Sequence, residues 1–202
     1  MTPVEPTARD SLTRLARERI ESSLELQRKL LEPDRRALIA RVATLMAESI
    51  RAGGKVLFFG NGGSAADAQH WAAELVGRYL KERPALPSIA LTANSSIVTC
   101  LGNDYGFDHV FRRQIEALCR PGDVAFGVST SGNSANVIAG LEAAREIGAV
   151  AVGLTGASGG RMLAVCDECI RFPSEEVPRI QEGHTLIGHI LCEIIEAELA
   201  PS

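Results

Sequence analysis

Apolar residues recur along this chain in two different rhythms. Over residues 8–31, Leu12, Leu15, Ile20, Leu24 and Leu31 return at helical spacing with arginine and glutamate between them. That pattern predicts an amphipathic helix. Pro33 interrupts it, and a second helix is predicted from Asp34 to Ala52, stopped by Gly53 and Gly54. The texture then changes to short apolar runs: KVLFFG (55–60), LPSIALT (86–92), DVAFGVST (123–130), AVAVGLTG (149–156) and ECIRFPS (168–174). These runs are mostly continuous rather than alternating, as in parallel strands buried on both faces. Helical stretches lie between them at 64–80, 107–119, 134–147 and 160–166, and a long helix over 178–199 closes the chain. Strand alternating with helix predicts an α/β fold in three layers, a five-stranded parallel sheet flanked by helices. With no linker, repeat or low-complexity segment in sight, residues 34–200 form one domain and 1–33 a helical N-terminal extension.

Composition narrows the class without naming a function. The 202 residues are 46% hydrophobic and 23% charged, ordinary values for a folded globular protein. A net charge of −4 offers no overall basic surface, so no nucleic acid partner is expected. No run approaches the ~20 apolar residues of a membrane span, and the N-terminus lacks the apolar core of a secretory signal. A cytoplasmic location without membrane attachment is expected, with the polar opening MTPVEPTARD frayed. The cysteines at 100, 119, 166, 169 and 192 are odd in number and irregular in spacing, which argues for reduced thiols. Cys166 and Cys169 form a C-x-x-C, but no second pair accompanies it. Small residues beside a strand explain it better than zinc or redox chemistry.

The extension has two uses open to it. Its apolar stripe can pack on its own domain or pair with another subunit. Two consecutive long helices exceed what a small sheet must cover, which favours the second.

In open α/β sheets, ligands sit beyond the carboxyl ends of the strands. Two turns are suited to that place. The first, Asn61-Gly62-Gly63-Ser64, satisfies a loose G-x-G-x-x-G/A pattern from Gly60. Dinucleotide binding would also want a carboxylate ending the second strand, where Leu91-Thr92-Ala93-Asn94 has none, and a phosphate-binding P-loop would want Gly-Lys-Ser/Thr. The second turn, STSGNSANV (129–137), gathers Ser129, Thr130, Ser131 and Ser134 around one helix start, with Gly132 admitting close approach. One cap needs one hydroxyl. Four of them suit a compact dianion such as a phosphate monoester.

His70 and Glu74 stand one turn apart on one helix face, flanked by alanines at 65, 66, 68, 72 and 73. In the last helix Gln181 and His189 are eight residues apart, on one side, with His189 among Leu186, Ile187, Ile190 and Leu191. A satisfied core histidine and a plain helix salt bridge are the bland alternatives. Together, His70, Glu74, Gln181 and His189 make an N2O2 set suited to a divalent ion, if the two helices converge.

These segments resemble the phosphoheptose isomerases of the sugar isomerase (SIS) family. The likeness is carried in order by GNGGSAADAQHWAAELVGR, GNDYGFD, STSGNSANV, LTGASGG and RIQEGH, and extends over residues 34–200. Phe59, where many members have cysteine, and Trp71, where many have phenylalanine, depart at packing positions. The resemblance implies the SIS fold, a homotetramer with active sites shared between subunits, and isomerisation of sedoheptulose 7-phosphate through an enediol. It implies that Asn61, Gly62, Gly63, Ser64, Asn103, Asp104 and Gln181 contact the sugar. Ser129, Thr130, Ser131 and Ser134 would hold the phosphate, and Arg78 would orient substrate from an adjoining subunit. His70, Glu74, Gln181 and His189 would ligate a divalent metal, zinc being expected, one per subunit. Glu74 and His189 would double as the catalytic acid–base pair. The competing class is a non-catalytic adaptor for the replication initiator; such paralogues generally lack the carboxylate that stands here as Glu74.

Overall fold

The computed structural model describes residues 8–200. Five strands, β1 (Val56–Gly60), β2 (Ser88–Ala90), β3 (Val124–Ser129), β4 (Val150–Thr155) and β5 (Glu168–Arg171), form one all-parallel sheet in the order β2-β1-β3-β4-β5. Every residue of β1 and β3 is buried, which is why their sequences are unbroken apolar runs. Side chains alternate across the sheet. Phe58 and Phe126 pack with Trp71 on one face, under α2 (Pro33–Arg51), α3 (Gly63–Val76) and α7 (Val177–Leu199). Leu57 and Phe59 pack on the other, under α5 (Val110–Leu118) and α6 (Ala135–Ile147). The α/β reading in three layers holds.

The departures are instructive. The helix expected over 64–80 ends at Val76, because Gly77 leaves helical geometry and residues 77–87 run as an irregular segment. A helix that the hydrophobic pattern did not predict, α4 (Ser95–Asp104), follows β2. It is ten residues long and buries none of them fully, its aliphatic positions being Ile97, Val98 and Leu101, and its start is marked by Asn94, whose side chain accepts from the Ile97 N–H at 3.1 Å. The expected helix at 160–166 is a single 3-10 stretch, Gly160–Ala164.

Helix α1 (Ala8–Arg28) already includes three residues of the opening expected to fray; residues 1–7 lie outside the described ones. Leu12, Leu15, Ile20, Leu24 and Leu31 are all exposed, from 48% to 67%. Leu26 and Leu30 instead touch the core. Among the described helices none is long and apolar enough to cross a membrane. Cys166 and Cys169 pack against Gly153, where a Cβ would lie 2.6 and 3.1 Å from their sulfurs. Their side chains fill space beside β4.

Candidate active site

The chain leaves β1 for the sheet edge at β2, then returns to start β3 on β1's other side. The turns after β1 and β3 therefore lie side by side at the point where the strand order reverses, the usual ligand crevice of such sheets. Their side chains join them. Asn61 and Asn136 exchange two amide hydrogen bonds, 2.8 and 2.9 Å, with Asn136 buried. Gly62 takes φ +57°, a conformation that favours glycine, and lets the chain turn directly into α3, whose first turn buries Ser64.

At the second turn, Ser129 Oγ lies 2.9 Å from Ser134 Oγ and 3.4 Å from Ser131 Oγ. Ser131 Oγ also accepts from the Asn133 N–H at 3.1 Å. Ser134 is the N-cap of α6 yet makes no side-chain cap bond. The hydroxyls are thus turned toward one another rather than spent on capping. Gly132 has φ +65°, and a Cβ there would come within 2.0 Å of the Gly159 carbonyl oxygen. That contact ties the GASGG loop to the hydroxyl turn, helped by Met162 N–H on the Gly132 carbonyl at 3.0 Å. A cavity of about 310 Å³ opens beside them, lined by Thr130, Ser131, Gly156, Ala157, Ser174 and Ile180.

Helices α3 and α7 lie side by side. Gly63 faces Gln181, Thr185 Oγ1 donates to Asp67 at 2.9 Å, and His70 faces His189. His70 Nε2 is 2.8 Å from His189 Nε2 and 3.4 Å from Glu74 Oε1. One ligand atom from each of these three residues lies within 4.8 Å of the others. Close approach makes this possible: a Cβ on Gly188 would sit 2.0 Å from the Trp71 ring. Burial raises the Asp67 carboxyl above its ordinary range, against the Thr185 hydrogen bond and the two imidazoles.

The other expected site residues are spread more widely. The Gln181 amide lies over Gly63, where a Cβ would come within 2.5 Å of Nε2. Along α7 it is two turns, about 12 Å, from His189. Asn103 donates to the Asp104 carboxylate at 2.8 Å, which with the Cys100 thiol holds Asp104 below the usual carboxylate range; both are exposed at the end of α4. Arg78 is exposed just beyond α3, 4.0 Å from Glu82.

Two features escaped the sequence reading, Asn136 and the buried pair Arg83–Glu196, and His184 had no role assigned from sequence. Arg83 and Glu196 are 113 positions apart, and nothing local marks them as partners. His184 is fully buried with no hydrogen-bond partner of good geometry on either ring nitrogen. Burial pushes its pKa down to about 4, with the Thr155 backbone a weak counterweight.

Known proteins match this chain in sequence and fold. The family model described as SIS domain covers residues 20–156. A phosphoheptose isomerase of Rhodospirillum rubrum is 62% identical over 161 residues, 80% of this chain and 86% of that protein. Among solved structures, a phosphoheptose isomerase from Francisella tularensis matches with a TM-score of 0.87 at 37% identity, covering 93% of this chain and 98% of that one. One from Neisseria gonorrhoeae matches at 0.82 and 42%, over 95% and 100%. With its switch-point crevice, hydroxyl turn and imidazole–carboxylate cluster, the chain belongs to the phosphoheptose isomerase family of SIS-domain enzymes.

Proposed function

We propose that this enzyme converts sedoheptulose 7-phosphate to D-glycero-D-manno-heptose 7-phosphate in the cytoplasm, opening the route to activated heptoses. The observation that carries the reading is the meeting of His70, Glu74 and His189 within 4.8 Å on two helices. Two imidazoles and a carboxylate are the donor types zinc takes. Ligand nitrogens on a tetrahedral zinc stand ~3.3 Å apart, given bonds of about 2.0–2.1 Å. The His70–His189 separation of 2.8 Å fits such a site after a small outward shift. Gln181 would be the fourth ligand. Bound there, one zinc per subunit would stabilise negative charge on the sugar oxygens.

The chain's own groups do the rest. Glu74 accepts the proton from C1 of the ketose and returns it to C2, giving the aldose. His189 moves the accompanying proton between O2 and O1. Ser129, Thr130, Ser131 and Ser134 donate to the phosphate, which suits their lack of capping duty. Asn61, Gly62, Gly63, Ser64, Asn103, Asp104 and Gln181 line the sugar. Arg78 stands exposed just beyond the end of α3, so we assign it to the site of an adjoining subunit in a homotetramer. The exposed stripe of α1 supplies the apolar face for that assembly, with 1–33 an oligomerising extension and 34–200 the catalytic domain. Incubating the protein with sedoheptulose 7-phosphate, before and after chelation and after zinc is restored, tests the reading. Aldose is expected, lost with chelator and regained with zinc; no aldose under any condition favours an adaptor.

A further inference from the structure

Arg83 and Glu196 form the most deeply buried ion pair among the described residues, 3.0 Å apart with side chains 0% and 2% exposed. An isolated pair so placed is weak evidence for stability, since desolvation offsets much of its attraction. This one is embedded in eight hydrogen bonds. Glu196 Oε1 accepts from the Tyr79 N–H at 3.0 Å and from Arg83 Nε at 3.0 Å. Its Oε2 accepts from the Leu80 and Lys81 N–H groups at 2.7 and 2.8 Å. Burial alone would raise this carboxyl; the three backbone donors and Arg83 outweigh it and hold it below its ordinary range. Across the pair, Arg83 Nη1 donates to the carbonyls of Leu75, Gly77 and Pro84 at 2.9, 3.3 and 3.1 Å. Arg83 Nη2 donates to the Glu74 carbonyl at 2.8 Å.

We infer that Arg83 and Glu196 are positioning residues for the His70–Glu74–His189 centre. The inference rests on the metal reading given above. Each member of the centre is within one or two contacts of the pair. Arg83 holds the backbone of Glu74 itself. Tyr79, tethered through its N–H to Glu196, lays its ring beside His189, 5.8 Å between centroids at 34°. His70 is one turn before Glu74 on the same helix and touches His189. The pair thus fixes the end of α3 to α7 about two turns, or ~10 Å, beyond His189. It also fixes the start of the 77–84 segment, which presents Arg78. Supports beyond a metal's direct ligands set how well those ligands converge, and their loss typically lowers metal affinity about 10–100-fold.

The alternative is a pair that merely closes the 77–84 segment over the core. Lys55 and Asp123 provide the comparison, because Asp123 is equally buried, accepts from the N–H groups of Lys55 and Arg120, and stands at the opposite ends of the strands from the site turns. The full chain is prepared as wild type, Glu196→Gln, Arg83→Lys and Asp123→Asn. Zinc affinity is measured by competition with a chromophoric chelator, alongside thermal unfolding and the separate kcat and KM for the sugar phosphate. Glu196→Gln is expected to bind zinc about 10–100-fold more weakly and to lose kcat with little change in KM. Asp123→Asn is expected to lose stability and keep its zinc affinity. Should Glu196→Gln not fold, Arg83→Lys keeps the charge beside Glu196 but lacks the planar fork that spans the carbonyls, and carries the same expectation. Wild-type zinc affinity in a folded variant, or an equal loss in Asp123→Asn, overturns the positioning role alone. A wild-type protein that takes up no zinc overturns the metal reading and this inference with it.

Discussion

The hydroxyl turn after β3 and the imidazole cluster on α3 and α7 are built in opposite ways. The turn is set by backbone: glycine at positive φ, strand ends in register, and a loop carbonyl pressed against Gly132. Ser129 is buried and its hydroxyl already engaged with Ser134. The cluster is set by side chains on helix surfaces, with His70 49% exposed and Glu74 23%. A rigid seat can be finished by the chain that forms it. Side chains standing half in solvent are positioned only as well as the helices beneath them, which is why a buried ion pair at the end of α3 bears on the chemistry.

Three experiments sharpen or break that contrast. The largest effect is expected in the cluster: Glu74→Gln and His189→Gln should each lower kcat by about 10²–10⁴-fold, the usual contribution of a positioned proton-transfer group. Steady-state turnover near wild type in both variants would remove the cluster from the chemistry. Next comes acid stability, which probes what lies under the β4 end of the turn. His184 stays neutral down to about pH 4 in the fold, whereas an unfolded histidine protonates at about 6.5. The unfolded state therefore binds more protons between those values, and stability should fall by about 3 kcal/mol as pH drops from 6.5 to 4. Urea unfolding should show that component in wild type and not in His184→Leu; equal pH slopes would contradict it. The smallest effect is expected at the turn itself. Ser134→Ala should raise KM about tenfold, one hydrogen bond to a charged group, and lower stability by only about 1 kcal/mol, because no cap bond is lost and the bond removed is the one to the Ser129 hydroxyl.

The sheet was legible because β1, β3 and β4 are buried on both faces and write that fact as continuous apolar runs. The turn was legible because four hydroxyls in six positions exceed any capping need. Helix α4 was not, since ten residues with Ile97, Val98 and Leu101 as the aliphatic positions make too short a stretch for a helical period to stand out. Nor was the end of α3 at Val76: the apolar residues Val76, Tyr79 and Leu80 extend the helical pattern, while the carboxylate that gathers the N–H groups of 79–81 lies on another helix. The convergence of His70, Glu74 and His189 is likewise a product of packing between two helices distant in sequence. Spacing could place each pair on one face and could not say that the faces meet.

Gly188 precedes His189, and Trp71 follows His70, so the tightest backbone-to-ring approach in the site lies directly beside the two imidazoles. Its lone hydrogen acts as a calibrated gap. One methyl added there would behave as a wedge, forcing the Trp71 ring or the α7 backbone to shift beside the two imidazoles without altering any donor atom.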